Sequence, residues 1–298
     1  MHKGTRPLAG CSRGGLPFCF LFGFDTQLSV LQVRRPFILG CAESQWKPTI
    51  SQMFVRLLHD NGLLLRLYTQ NIDGLDFDVG LPPEKIVCVH GSIRQTMCES
   101  CHEDPYEGDY NAYIADVKTH IKDIYSMDAS APAESTPIVC RTCGAHCVKP
   151  TTVLFGASLP HRFFVKSGED FGSKGGLGLR GDGVISDDPK MLSDMMFVIG
   201  TSLKVYPAAA LPECVSNGRP RILVNGDAAG DFDYTNRDCW LHGDIDEKLL
   251  ELIIEIGWLD QLVRLQDGLC EASQHRVAEA AAVKAEAHLT KVDVSSYF

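Results

Sequence analysis

The 298-residue chain sets 28 Lys and Arg against 38 Asp and Glu, a formal charge of −10. That balance argues against a general nucleic-acid binder, which needs clustered basic side chains. No apolar run approaches the ~18 residues of a membrane helix, while an apolar fraction of 45% suffices for the core of one large domain or two unequal ones.

Residues 1–46 carry no recognisable site. The apolar run from Leu16 to Phe24 follows Lys3, Arg6 and Arg13. It resembles a targeting signal only faintly, because Pro17 interrupts it and no small-residue cleavage site follows; a buried strand is the other reading. Leu28 to Val33 suits a strand or a helix turn. A helix then opens at Lys47-Pro48-Thr49, with Pro48 in its first turn. Ile50, Met53, Phe54, Leu57 and Leu58 recur at helical spacing, and Asn61-Gly62 closes the helix.

Four short apolar runs follow, each ending in a polar tip. Leu64 to Tyr68 leads to Thr69-Gln70-Asn71-Ile72-Asp73-Gly74, and Ile86 to Val89 leads to His90-Gly91-Ser92. Met195 to Ile199 leads to Gly200-Thr201-Ser202, and Arg221 to Val224 leads to Asn225-Gly226-Asp227. Continuous apolar runs of this length predict strands covered on both faces, as in a parallel sheet. Ligands of open parallel sheets bind beyond the carboxyl ends of the strands, so these tips form a polar rim suited to a nucleotide. Imidazole changes charge near neutral pH, which makes His90 a candidate base. Read singly, each tip is also a plain turn or cap: Asp73-Gly74 is a common turn pair, and a lone His is more often structural.

Twelve cysteines include two tight pairs, Cys98-x2-Cys101 and Cys140-x2-Cys143, separated by 38 residues in the sequence. Two such knuckles make a closed four-thiolate zinc cage, which is structural because no ligand position stays open. His146 and Cys147 are nearby alternatives to Cys143. The pattern suits a reducing compartment better than a disulfide scaffold.

Between the cysteine pairs a helix is expected over 110–125, then a Ser/Ala/Pro linker. Val148 to Phe155 returns to strand character. Residues 166–190 read as a Gly- and Asp-rich loop. Its Gly176-x-Gly178-x-x-Gly181 lacks the flanking strand and helix of a dinucleotide fingerprint. A last strong helix is expected from Asp244 to Leu265, before an Ala/Glu/Lys-rich tail that is helical or disordered. The organisation expected is an atypical segment (1–46), a nucleotide-binding domain (47–97 and 148–265), an inserted zinc module (98–147) and a tail (266–298).

In combination, Tyr68 to Leu75, Val89-His90-Gly91-Ser92, the Cys pairs, Phe155-Gly156-x-x-Leu159-Pro160, Gly200-Thr201-Ser202-Leu203-x-Val205 and Asn225 resemble the sirtuins, NAD-dependent protein deacylases. The likeness runs from about Arg35 to about Leu265 and is greatest to the eukaryotic cytosolic branch. It implies an α/β fold: a Rossmann-like parallel sheet with helices on both faces, plus a small zinc-binding module. It also implies a cytoplasmic or nuclear enzyme, with no nucleic-acid or membrane partner. Such an enzyme consumes NAD to deacetylate lysine in acetylated proteins or peptides, releasing nicotinamide and O-acetyl-ADP-ribose.

Carried over by position, His90 is the general base, with Asn71 beside it in catalysis. Gln70, Asn71, Ile72, Asp73, Gly200, Thr201, Ser202, Asn225 and Ile245 would contact NAD. Val153, Phe155, Gly156 and Val205 would contact the acyl-lysine peptide, and Cys98, Cys101, Cys140 and Cys143 would bind one zinc. The family's Gly-Ala-Gly-Ile-Ser and Asp-Phe-Arg loops are not found before Lys47. Two alternatives are therefore carried: a catalytically impaired binding protein with half of the NAD cradle, and a mono-ADP-ribosyltransferase.

Overall fold

A computed structural model describes residues 25–154, 156–172, 193–232, 234 and 236–295. The expectations for the 16–24 run, for Phe155 and for the glycines at 176–181 lie outside these residues. The chain divides into two compact units: residues 1–45 with 91–158, and residues 46–90 with 159–298. Among the described residues no helix is long and apolar enough to cross a membrane.

The larger unit is built on parallel strands. β1 (Leu67–Thr69) pairs with β2 (Ile86–Cys88), while β5 (Met196–Ile199), β6 (Arg221–Asn225) and β7 (Asp238–His242) form a three-stranded parallel sheet. Alternate side chains go to opposite faces, as the period of a strand requires. On one face Leu67, Ile86, Cys88, Phe197, Ile199, Ile222 and Val224 join a core with α2 (Ile50–Asp60), α6 (Ile245–Glu255) and α7 (Leu259–Leu265). On the other face Tyr68, Val87 and Val89 pack with Phe163 and Phe171 of α5 (His161–Phe171). The second face of β5 and β6 is covered by Leu203, Ala229 and Phe232 of the loops after these strands. Apolar cover on both faces explains the continuous apolar runs. Asp170 of α5 is buried and accepts from Arg66 Nη2 at 2.9 Å and Tyr68 Oη at 2.6 Å, tying that helix to β1.

The ends of α2 are encoded locally. Thr49 and Gln52 form a reciprocal capping box. Pro48 therefore precedes the cap rather than sitting in the first turn. Asp246 Oδ1 accepts from the Ser51 amide at 2.9 Å, placing a carboxylate of α6 at the positive end of α2. At the other end the Leu63 amide bonds Leu58 O and the Gly62 amide bonds His59 O, with Gly62 at φ +71°. This is a Schellman closure.

The same closure corrects another expectation. The single helix expected from Asp244 to Leu265 is two, because Trp258 N–H bonds Ile253 O, Gly257 N–H bonds Ile254 O, and Gly257 sits at φ +78°. The tail is helical: α8 (Glu271–Ser295) returns Ser273 and Val277 to buried positions.

The smaller unit holds α1 (Asp25–Ala42), α4 (Tyr110–His120) and the antiparallel pair β3 (Thr96–Cys98) and β4 (Val148–Pro150). Leu31, Ile38 and Leu39 of α1 share a core with Tyr113, Ile114 and Val117 of α4, so Leu28 to Val33 is helix, not strand. α4 stops five residues short of Tyr125. Asp123 collects the amides of Tyr125, Met127 and Asp128, offering the backbone a partner that competes with the helix. Strand pairing of 148–155 ends near Pro150, and the first residues of the expected 166–190 loop belong to α5.

Candidate functional site

Each of the four polar tips stands at the carboxyl end of a parallel strand of the larger unit, and hydrogen bonds join them in series. After β1 the chain turns through Gln70 and Asn71, where the Asn71 amide bonds Thr69 Oγ1 at 3.2 Å. After β2, His90 is half-buried and its Nδ1–H donates to Gln70 O at 3.1 Å. A carbonyl only accepts, so the neutral ring keeps Nε2 as its basic nitrogen. Gln70 Nε2 donates to Thr201 Oγ1 at 3.3 Å, and Thr201 O accepts from Asn225 Nδ2 at 3.2 Å. Asn225 also receives Trp240 Nε1–H on its carbonyl at 3.0 Å, from β7.

Other expected residues are placed as follows. Ile72 and Asp73 are half-buried, and Asp73 Oδ1 accepts from the Leu75 amide at 3.0 Å, starting the short helix α3 (Leu75–Asp78). Gly200 closes on Val224 O at 3.1 Å, and Ser202 is exposed. Ile245 is the first residue of α6, and its Cδ1 lies 3.0 Å from where a Cβ on Gly200 would stand. Val205 is exposed in this unit. Val153 is half-buried and Gly156 exposed in the smaller unit.

Asp76 escaped the sequence reading. It is 6% exposed beneath the Asn71 turn, accepts from the Thr69 hydroxyl, and lies near Asp73. Burial raises its carboxyl to about 6 against the opposing hydrogen bond of Thr69, and Asp73 adds to the rise. Burial likewise pushes the Cys88 thiol up to about 11, so it stays protonated and unreactive. β7 was also missed: only Cys239, Trp240 and Leu241 of its five residues are apolar, so no long run marks it.

In the smaller unit the two cysteine knuckles have one geometry. The Cys98 amide bonds Glu103 O and the His102 amide bonds Cys98 O; the Cys140 amide bonds Ala145 O and the Gly144 amide bonds Cys140 O. The Sγ atoms of Cys98, Cys101, Cys140 and Cys143 all lie within 4.8 Å of one another. Two sulfurs on one tetrahedral zinc stand about 3.8 Å apart. Cys98 to Cys143 is 3.6 Å and Cys101 to Cys140 is 3.8 Å, so the donor set fits a structural zinc ion.

Residues 34–174 match the sequence model of the Sir2 family. The chain carries a Sir2-family domain over this stretch. It is 33% identical over 234 residues to the NAD-dependent protein deacetylase hst2 of Schizosaccharomyces pombe, covering 78% of this chain and 59% of that protein. It is 34% identical over 236 residues to the mouse NAD-dependent protein deacetylase sirtuin-3, again covering 78% and 59%. Against sirtuin-2 of Danio rerio the identity is 30% over 253 residues, covering 76% and 56%. The chain therefore spans somewhat over half the length of these Sir2 relatives. Its parallel sheet covered on both faces is the Rossmann-like fold expected of the family.

Proposed function

We propose that this chain is an NAD-dependent protein lysine deacetylase acting on acetylated proteins. The series His90–Gln70–Thr201–Asn225 at the strand tips carries the reading. It aligns one base and several amide and hydroxyl groups where a parallel sheet receives a nucleotide. The relatives' names, NAD-dependent protein deacetylases, support NAD dependence and protein deacetylation. NAD would supply the ribose carbon that accepts the acyl oxygen as nicotinamide leaves, and with the addition of one water the products would be deacetylated lysine, nicotinamide and O-acetyl-ADP-ribose.

In this reading His90 Nε2 takes the proton of a ribose hydroxyl while Gln70 O holds the ring by Nδ1. Asn71 orients the nicotinamide half, and Gln70, Ile72 and Asp73 line that side. Gly200, Thr201, Ser202, Asn225 and Ile245 receive the adenosine half. Val153, Phe155, Gly156 and Val205 are assigned to the acyl-lysine peptide. Residues 47–97 and 148–265 form the NAD-binding domain, 98–147 the zinc module, and 1–46 and 266–298 the flanking segments. The two C-x2-C pairs, spaced for a metal site, suit a reducing compartment, cytoplasmic or nuclear.

The test is nicotinamide release from NAD and an acetyl-lysine peptide, with His90→Ala as the control. Release that needs the peptide and falls away in the variant is expected. A folded wild-type chain that binds NAD yet releases no nicotinamide would overturn the reading.

A further inference from the structure

A fifth thiol stands at the zinc site. Cys147 is not one of the four mutually close sulfurs, yet its Sγ lies 3.5 Å from Cys98 Sγ, against 3.6 Å from Cys98 to Cys143. Both separations are close to the ~3.8 Å edge of a four-thiolate zinc tetrahedron. The backbone of Cys147 is already pinned to the first knuckle, because its carbonyl accepts from the Glu99 amide at 3.0 Å. The Ser100 amide reaches the sulfurs of both Cys98 and Cys147. Cys143 is the exposed member of the cage, whereas Cys147 is half-buried.

We propose that Cys147 is a reserve ligand of this site, so that zinc can be held by Cys98, Cys101 and Cys140 with either Cys143 or Cys147. A side-chain rotation at Cys147 accomplishes the exchange, since its carbonyl stays bonded to the Glu99 amide just before β4. When Cys143 is alkylated or oxidised, a cage of four thiolates is still available. The consequence is a zinc module that outlasts damage to its most accessible thiol.

The experiment uses the full chain with Cys143→Ser, Cys147→Ser and the double substitution. Each is loaded with cobalt(II) to read sulfur-to-metal charge transfer, and zinc affinity is measured by chelator competition. Cys143→Ser is expected to keep a four-thiolate spectrum with affinity within about tenfold of wild type, and the double variant to fall at least a further tenfold. A three-thiolate spectrum in Cys143→Ser, with water or the His146 imidazole completing the site, would overturn the proposal, as would equal affinity of that variant and the double one. Should Cys143→Ser not fold, the zinc-loaded wild-type chain is treated with iodoacetamide and weighed by native mass spectrometry. Molecules alkylated at Cys143 alone retain zinc if Cys147 replaces it, and lose zinc if it does not.

Discussion

Gln70 Nε2 donates to Thr201 Oγ1 across 3.3 Å, joining the tip of the β1–β2 pair to the tip of the three-stranded sheet. These strands share no backbone ladder among the described residues, so side chains link the two tips. Thr201 Oγ1 also accepts from the Leu203 amide at 3.1 Å, which sets the loop after β5. Thr201→Ala removes both bonds. NAD affinity measured by calorimetry is expected to fall about tenfold, the scale of one or two net hydrogen bonds. Unchanged affinity would remove Thr201 from the cofactor site.

His90 predicts a division between binding and rate. Its Nδ1 is engaged by Gln70 O, which leaves Nε2 as the nitrogen for the proposed proton transfer. His90→Ala is expected to lower the rate of nicotinamide-linked deacetylation by about 10²–10⁴ while NAD affinity changes little. Single-turnover kinetics beside calorimetry separate the two; loss of both in equal measure would mean the residue only shapes the pocket.

Asp76 makes stability depend on pH. Its carboxyl is raised by burial from the ordinary 3.8 to about 6. Between those values the unfolded chain has lost the proton and the folded one retains it. The group's contribution therefore falls as pH rises through this window, by on the order of 3 kcal/mol. Asp76→Asn keeps the neutral shape and is expected to be stabilised relative to wild type at pH 7 but not at pH 4. Denaturant titrations at the two pH values check this, and parallel curves would refute it.

Arg221 and Asp238 form a buried ion pair between neighbouring strands, with side chains 5% and 0% exposed. Arg221 Nε reaches Asp238 Oδ1 at 2.8 Å, and its other nitrogens bond Pro212 O and Asp231 O. Asp238→Ala leaves a guanidinium buried without its counter-ion, at a cost of about 3–5 kcal/mol. Urea unfolding should report that loss; a change below about 1 kcal/mol would show that the site relaxes to admit water.

Metal removal tests the smaller unit. Cys98 and Cys140 belong to the same core as α1 and α4, so the cage and the packing form together. A strong chelator is expected to raise amide exchange across 91–158 while strands β5 and β6 stay protected. Uniform exchange in both regions would mean that the ion supports the whole chain.

Much of this was written locally. The apolar runs, their polar tips and the paired cysteines act through neighbours a few residues apart, which sequence alone displays. Local signals also misled: Gly257 breaks an apparently continuous helix through a left-handed residue, and Asp123 stops α4 by gathering three amides. Only the tertiary structure decided that β7 completes the sheet, that Asp76 is buried under the Asn71 turn, and that Cys147 stands beside Cys98 from 49 positions away. The physical reason is separation: burial and sulfur–sulfur distance depend on segments brought together by folding, whereas periodicity and capping are settled within a turn or two of chain.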